Sequence, residues 1–448
     1  MVSRIVWGGV GSVLFGLCAG MVVGCGGSSG GGGNSGGGGN GGGSENNPTT
    51  VTFSITGPAP TAVATQVGAG SFAAATLSNG QVTLSLPSGT TRFAVAYVCP
   101  VSSNTNSSSA TQQTNELLFE ATTADGTSFS TACPPVSGNG SSTGATGTLT
   151  GTVDASAISG TSNVLIFASN GTSEVTEGSG VDSSFSFAAP EGSDTVDVAA
   201  YSLVPDHGIL TLLAVKPFTG QAVPGALNGG NPVVLGPADE TTPEPITYTG
   251  VPSGFSSPYT IAGYLLSSNS SYFLTNGAGS TYPELPADLE TSGGYYSFSS
   301  ESTGYLSETV FQEISVTTTP TSGGPITITF PTPWPYSGPT PAALPTLDMS
   351  YPGFTTTSGY GVIDLLWPLT GAADYYFQID ATQSYLSGSP SIAVPDLSGV
   401  AGFVAAPASG TSISWYAALY NGGSPFSPVQ PSNKTIDLVA NFGTYQVP

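Results

Sequence analysis

The stretch VTLSLPSGTTRFAVAY, Val82–Tyr97, decides the fold. Apolar and polar residues alternate on both sides of a Pro-Ser-Gly turn, which is the pattern of two half-buried strands joined by a tight connection. Proline fixes φ where the turn starts, and glycine accepts a positive φ after it. The same alternation recurs along the chain, in VTFSIT, NVLIFA, PITITF, DYYFQID and ISWYAALY. The sequence therefore predicts an all-β protein made of tandem β-sandwich domains.

A second copy of the opening stretch follows about one hundred residues later. FSFAAPEGSDTVDVAAY, Phe185–Tyr201, repeats the strand, the Pro-x-Gly turn and the alternating strand that ends in Tyr. This pattern, with GTLTGTV at Gly147–Val153, resembles the carboxypeptidase regulatory-like domains, which are small transthyretin-type sandwiches. The resemblance covers the second unit well and the first more loosely, and it implies a fold without an activity. The fourth unit, with Trp367 and Trp415 in apolar strands, resembles fibronectin type III and other immunoglobulin-like domains.

Three segments rich in Pro, Gly and Ser divide the chain. They are PPVSGNGSSTGATG, GPADETTPEP and PTPWPYSGPTPAALP, and the last is expected to be extended and semi-rigid. The domains predicted from these breaks are residues 48–136, 145–237, 245–331 and 341–448. Each is close to the usual size of a sandwich domain.

The charge balance excludes one class of partner. The 448 residues contain 4 Lys and Arg against 27 Asp and Glu. Four scattered cations cannot form a basic surface for phosphate backbones, so we expect no nucleic-acid binding. With so few cations, we also expect few salt bridges and a weak dependence of stability on salt.

The N-terminus predicts export and a lipid anchor. Arg4 precedes an uncharged apolar run, and Val22-Val23-Gly24-Cys25 closes it. The tetrad resembles the lipobox of bacterial lipoproteins, in which the cysteine receives a diacylglyceryl group and becomes the first residue. The resemblance implies a signal peptide at 1–24, lipidation at Cys25, palmitate among the acyl chains, and partnership with the membrane through the anchor.

An uncleaved transmembrane helix is the alternative to the lipobox, although the glycines in the run disfavour a helix. The Gly-rich residues 25–47 are expected to be a disordered tether, of which Gly26–Ser44 has a root-mean-square span of about 25 Å. Lipoproteins retained at the inner membrane commonly carry Asp after the cysteine, whereas this chain has Gly26. We therefore predict a lipid-anchored protein of the cell envelope, in the outer membrane if the host is Gram-negative.

Two cysteines remain once Cys18 leaves with the signal and Cys25 is lipidated. Cys99 and Cys133 form a pair in an oxidising compartment, so a disulfide is predicted. Closing this loop would stabilise the fold by about 3.8 kcal/mol in the chain-entropy model. Two unpaired buried thiols are the alternative.

Catalytic and metal signatures are weak throughout. His207 is the single histidine and lies beside Asp206 in a turn, which is no evidence for a triad. A Gly-x-Ser-x-Gly match at Gly26–Gly30 falls in the tether. No zinc-type or EF-hand spacing occurs, and Asp239-Glu240 is interpreted as a solvated pair rather than a calcium site. We predict no catalytic residue, no metal site and no cofactor.

Aromatic residues supply the alternative function. The third unit and the linker after it are rich in Tyr, and Tyr295, Tyr296, Trp334 and Tyr336 are candidates for stacking on sugar rings. The competing interpretation is that strands favour Tyr for packing. Trp367 and Trp415 are interpreted as core residues.

The leading prediction for function is a non-enzymatic cell-envelope lipoprotein with a structural, adhesive or protein-binding role, whose partner is an unidentified envelope protein or glycan. The alternative is a carbohydrate-binding surface lipoprotein or an accessory to polysaccharide degradation. A component of a secretion system or S-layer that binds neighbouring proteins is a third hypothesis.

Overall fold

The computed structural model of the protein describes residues 48–103, 112–133, 146–168, 173–177, 183–204, 209–266, 271–351, 353, 359–369, 373–388, 390–422 and 434–448. These residues form an all-β protein, as predicted, and they contain one short α-helix. None of the helices in these ranges has the length and apolar character needed to span a membrane.

The first two units of the fold are defined by their strands. Unit 1, residues 48–133, contains β1 (Thr49–Thr56), β2 (Ala62–Val67), β3 (Ala73–Ala74), β4 (Gln81–Leu86), β5 (Arg92–Ser103), β6 (Gln112–Thr122) and β7 (Ser128–Ala132). Unit 2, residues 146–241, contains β8 (Thr146–Asp154), β9 (Asn163–Ala168), β10 (Ser173–Glu177), β11 (Ser183–Pro190), β12 (Gly192–Val204), β13 (Ile209–Val223), β14 (Gly225–Ala226) and β15 (Val233–Val234), with 3₁₀ turns at Leu227–Gly230 and Pro237–Asp239.

The second half of the chain forms two further units. Unit 3, residues 242–330, contains β16 (Thr242–Thr249), β17 (Tyr259–Leu265), β18 (Ser271–Gly277), β19 (Thr281–Glu284), β20 (Tyr295–Tyr305), β21 (Val310–Thr318) and β22 (Ile326–Thr329). Unit 4, residues 346–448, contains β23 (Thr346–Asp348), β24 (Gly359–Pro368), β25 (Ala373–Thr382), helix α1 (Gln383–Gly388), β26 (Ser391–Ala393), β27 (Ser412–Asn421) and β28 (Thr435–Gln446). Whether each unit is an independent domain stays a prediction.

The repeated Pro-x-Gly stretch joins the two layers of units 1 and 2. In each unit the strand before the turn belongs to a small sheet, and the strand after it belongs to a large one. Gly89 and Gly192 take positive φ values of 83° and 130°, conformations that most other residues rarely adopt. The turn chemistry in the sequence therefore corresponds to the point where the chain crosses between layers.

Units 1 to 3 share one topology. In the small sheet, the first strand of the unit lies between an antiparallel and a parallel neighbour, as β4-β1-β7, β11-β8-β14 and β19-β16-β22. In the other layer, the strand orders are β6-β5-β2-β3, β13-β12-β9-β10 and β21-β20-β17-β18. Unit 4 repeats this second layer as β28-β27-β24-β25, but its small sheet is the pair β23-β26.

The large layers of all four units join edge to edge in one 16-stranded sheet. Unit 4 lies between units 3 and 1, since β21 pairs antiparallel with β28 and β25 pairs parallel with β6. Unit 2 joins unit 3 through the single pair Thr211 and Thr275 of β13 and β18. The order along the sheet is therefore unit 2, unit 3, unit 4, unit 1, which differs from the order in sequence.

The described residues form four apolar clusters, of which three lie between layers and the fourth, smaller one contains Tyr416 and Leu438 on the outer side of unit 4. Units 1 and 2 each have a core between their own two layers, with Phe53 and Phe119 in the first and Ile166 and Val198 in the second. Units 3 and 4 share a larger core. In units 1 and 2, the large-sheet side chains that point away from their own small sheets, such as Leu118 and Tyr201, also belong to this core. The small sheets of units 1 and 2 therefore lie on the face of the large sheet opposite to those of units 3 and 4.

Candidate functional site

Several predicted site residues lie outside the described residues. Cys25, the Gly-rich tether with its Gly-x-Ser-x-Gly match, and His207 all belong to this group. Their roles stay predictions.

Cys99 and Cys133 form the predicted disulfide, with an S–S distance of 2.09 Å. Both cysteines are buried in the core of unit 1. Cys99 lies on β5 of the large sheet, and Cys133 follows β7 of the small sheet, where its N–H donates to the carbonyl of Thr56. The bridge therefore links the two layers of unit 1.

The four candidate sugar-stacking residues do not form one exposed platform. Tyr296 is 0% exposed and Trp334 is 3% exposed, so neither ring offers a free face. Tyr295 is half-buried on the other side of β20, and Tyr336 is packed into the shared core. The burial of Tyr296 and Trp334 corrects the expectation that their rings stack on sugar, whereas a sugar contact by Tyr295 or Tyr336 stays a prediction. Trp367 and Trp415 are buried, as predicted.

The Pro-rich segment before unit 4 was interpreted as a linker, but it is part of the core. The Trp334 indole N–H donates to the carbonyl of Ser350 at 3.0 Å, and the Tyr336 ring stacks on Trp334 at 4.7 Å. The amides of Gln312 and Asn441 donate to the Trp334 carbonyl at 2.6 and 2.8 Å. The segment is therefore fixed to β21, to β28 and to Ser350, just after β23. Among the described residues, β23 pairs only with the antiparallel strand β26.

Two glutamates lie in the seam where β6 of unit 1 meets β25 of unit 4. Glu116 accepts a short hydrogen bond from the Tyr375 hydroxyl, and Glu120 accepts one from the Tyr385 hydroxyl at 3.1 Å. Burial raises the pKa of Glu116 from 4.5 to about 7 despite the tyrosine bond, which acts in the opposite direction. Burial likewise raises the pKa of Glu120 to about 7, against the hydrogen bond from Tyr385 and the charge of Arg92.

Arg92 fixes the helix of unit 4 to unit 1 at the same seam. Its guanidinium donates to the carbonyl of Tyr385 at 2.7 Å and lies 4.1 Å from the centre of the Tyr385 ring. Arg92 therefore contributes both a hydrogen bond and a cation–π contact to the seam.

A second group of carboxylates lies on the opposite face of the large sheet. In β24, Ile363 and Leu365 point into the shared core, so Asp364 points away from it. Asp380 of β25 and Glu313 of β21 occupy equivalent alternate positions, next to Ile379 and Ile314 of the core. We call the surface formed by Glu313, Asp364, Asp380 and the aromatic side chains beside them the acidic–aromatic face.

Aromatic rings cross four strands of the acidic–aromatic face in register. Tyr305 pairs with Phe311, Phe311 with Phe442, and Phe442 with Tyr416. The ring centres are 4.7, 5.2 and 6.3 Å apart, and the rings of Phe311 and Phe442 are parallel within 3°. Asp364 continues this row as the register partner of Tyr416. This row is not predictable from the sequence, because its members come from four different strands.

Burial controls the protonation of the face. It raises the pKa of Asp364 and of Glu313 to about 7, and that of Asp380 to about 6. A hydrogen bond from Gln378 to Asp380, at 3.0 Å, opposes the last shift. These carboxyl groups therefore ionise between pH 5 and 8, where an exposed carboxyl is already charged.

The parts of the chain that the structure describes contain no group of three or more His, Cys, Asp and Glu side chains able to hold a metal ion. Asp239, one of the two acids considered for calcium, instead binds Lys216 at 3.3 Å. This is the one salt bridge in the described ranges.

Comparison with known proteins leaves the family open. No protein-family model matches the chain, and no curated protein matches it. A candidate adhesin from Bacteroides ovatus aligns at 13% identity over 35% of this chain and 71% of its own, with a TM-score of 0.14. The Bacillus anthracis TIE protein aligns at 12% identity over 63% of this chain and 50% of its own, with a TM-score of 0.13. Scores this low carry no argument about fold or function.

Proposed function

We infer that this chain is a non-enzymatic lipoprotein of the cell envelope, with a structural, adhesive or protein-binding role. The Cys25 lipid would hold it to the membrane, in the outer membrane of a Gram-negative host. The glycine tether would separate the lipid from unit 1. The assignment of Cys25 rests on the lipobox and on the apolar run before it.

The observation that carries the proposal is the continuous 16-stranded sheet. Unit 1, which receives the tether at Thr49, lies at one end of the sheet, and unit 2 lies at the other. Nine strand spacings separate β6 of unit 1 from β13 of unit 2, which is about 43 Å along the sheet at ~4.8 Å per spacing. A protein built in this way displays unit 2 away from its anchored end.

The joints between the units suit a load-bearing or display role. The seam of β25 and β6 runs over nine residue pairs, from Ala373 and Gln112 to Ala381 and Glu120. The seam of β21 and β28 also runs over nine pairs, from Val310 and Gly443 to Thr318 and Thr435. Main-chain hydrogen bonds over such lengths keep units 1, 4 and 3 together more firmly than a flexible linker would.

The test combines lipid labelling with a binding assay on cells. The full chain is expressed in a Gram-negative bacterium that is fed labelled palmitate. We expect label on the wild type, none on Cys25→Ser, and undiminished label on Cys18→Ser, which serves as the matched control within the leader. Cells displaying the wild type should aggregate or attach to a surface, and Cys25→Ser cells should not.

Two results would contradict the proposal. Palmitate label that persists in Cys25→Ser would contradict lipidation at Cys25. Equal attachment by cells with and without the displayed chain would contradict the proposed adhesive and binding role.

A further inference from the structure

The acidic–aromatic face carries negative charge without any cation of its own. The strands that form it, β20, β21, β24, β25, β27 and β28, contain no Lys and no Arg. Of the other described cations, Arg92 is held by Tyr385 and Lys216 by Asp239. Lys434, directly before β28, is exposed and forms no salt bridge with a described residue. Glu313, Asp364 and Asp380 are thus half-buried carboxyl groups without a paired cation among the described strand residues, an arrangement that is costly when they are ionised.

One carboxyl oxygen of the face lacks a partner as well. The Tyr376 hydroxyl hydrogen-bonds to the Asp364 carboxyl group, but Asp364 Oδ1 is buried and has no hydrogen-bond partner in the described ranges. The Tyr416 hydroxyl is buried beside Tyr420 and near the charges of Glu313 and Asp364. Buried polar atoms are nearly always satisfied in proteins, so the unpaired oxygen of Asp364 indicates a missing donor.

The length and chemistry of the row of rings indicate what kind of ligand could supply the missing donor. Tyr305, at the outer end of the row, is 69% exposed, which is unusual for a large aromatic side chain, and Phe311 and Phe442 are half-buried. From Tyr305 to Asp364 the row crosses four strand spacings, about 19 Å. Ring faces attract ammonium and guanidinium groups, and carboxylates beside them add charge-assisted hydrogen bonds.

We propose that the acidic–aromatic face binds a lysine- or arginine-bearing peptide segment of a partner protein, whose cationic side chains lie on the Phe311–Phe442 rings and reach Glu313 and Asp364. A peptide fits better than a free amine, since the row is several times longer than a single amine. A metal ion does not fit, because the described carboxylates form no metal-binding group. The inference rests on the proposed protein-binding role and names the chemistry of the partner.

The test uses the full-length chain in detergent and a fluorescent peptide of alternating Lys and Gly, with a Ser-Gly peptide of equal length as the neutral probe. Anisotropy is measured at physiological salt, at pH 5.5 and pH 8. We expect the basic peptide to bind at least tenfold more tightly at pH 8, because the carboxyl groups of raised pKa on this face ionise in this interval whereas ordinary carboxyl groups are already charged. The neutral peptide should not bind at either pH.

Matched variants distinguish binding at the acidic–aromatic face from non-specific attraction by the net negative charge of the protein. The double variant Glu313→Gln with Asp364→Asn should lose at least tenfold in affinity at pH 8 and most of the pH dependence. The control, Glu240→Gln with Asp288→Asn, removes two exposed charges elsewhere and should change the affinity less than twofold. Phe311→Leu keeps an apolar residue but removes a ring, and it should weaken binding severalfold.

The outcomes discriminate between the explanations. Equal losses in the face variant and in the control would mean attraction by net charge alone and would overturn the inference. No binding at pH 8, or equal binding at both pH values, would overturn it as well. Thermal unfolding of each variant checks that the fold is intact. Because this assay does not use the anchor, its failure is distinct from a failure of palmitate labelling.

Discussion

Replacing Glu116 with Gln should remove the contribution of one buried carboxyl group to the pH dependence of stability. Glu116 is 2% exposed, and its pKa is raised from 4.5 to about 7, with burial as the main cause. The folded state therefore holds a proton between these values that the unfolded state has released. Stability from this group is fully present below about pH 4.5, falls as the pH rises, and levels off above about pH 7.

The size of the effect follows from the shift. A displacement of about 2.5 pKa units corresponds to about 3.5 kcal/mol at ~1.4 kcal/mol per unit, and most of it falls between pH 4.5 and pH 8. Glutamine keeps the shape and an oxygen acceptor for Tyr375, but it does not titrate. We expect the wild type to lose about 3 kcal/mol more than Glu116→Gln between pH 4.5 and pH 8, and Glu116→Gln to be the more stable protein at pH 8.

The assay is urea unfolding of both proteins at pH 4.5, 6 and 8, followed by tryptophan fluorescence. Asp288→Asn removes an exposed carboxyl and is the matched control, which should keep the slope of the wild type. Because the chain has several units, the comparison uses the difference between proteins at each pH rather than one absolute free energy. If the free energy of unfolding of Glu116→Gln changed with pH as much as that of the wild type, Glu116 would not be the source of the predicted contribution.

Three further predictions concern the disulfide, the Pro-rich segment and salt. The double change Cys99→Ser with Cys133→Ser should lower the free energy of unfolding by about 3–4 kcal/mol, measured against the wild type under non-reducing conditions, and an unchanged midpoint would contradict the stabilising role of the bridge. Trp334→Ala should cost about 3–5 kcal/mol in the same assay, whereas Trp334→Phe should cost less; a loss below 1 kcal/mol would mean that the segment is a dispensable linker. Since the described residues hold the single salt bridge Lys216–Asp239, the melting temperature should change by only a few degrees between low and high ionic strength, and a large shift would contradict this expectation.

The sequence predicts the local structure of this protein much better than its assembly. Alternation identified the strands, and the Pro-x-Gly repeat identified the turns, because both depend on neighbouring residues; that the chain crosses between layers at these turns is visible only in the structure. The disulfide was predictable because Cys99 and Cys133 were the two cysteines left unassigned. The 16-stranded sheet was not predictable, since alternation shows which residues face a core but not which strand lies alongside. The partners β6 and β25 are separated by most of the chain.

The candidate site was missed for related reasons. Asp364 lies in the apolar strand GYGVIDLLWP, where one acid at an outward position looks ordinary until the neighbouring strands are known. The row from Tyr305 to Tyr416 combines residues of four strands. The segment at Trp334 was misinterpreted because its prolines are typical of linkers, while the buried indole that makes it part of the core is visible only in three dimensions.

The position of unit 4 has a consequence for how the chain is made. Synthesis and export proceed from the N-terminus, so β6 emerges early and its neighbour β25 emerges near the end. β6 stays an unpaired sheet edge until β25 emerges, and β21 stays one until β28 emerges; both edges are long enough to recruit strands from other molecules. A ribosome that stalls before residue 346 would release units 1 to 3 with both edges open. Such a fragment should aggregate or require a chaperone, although each of its sandwiches has a complete set of strands.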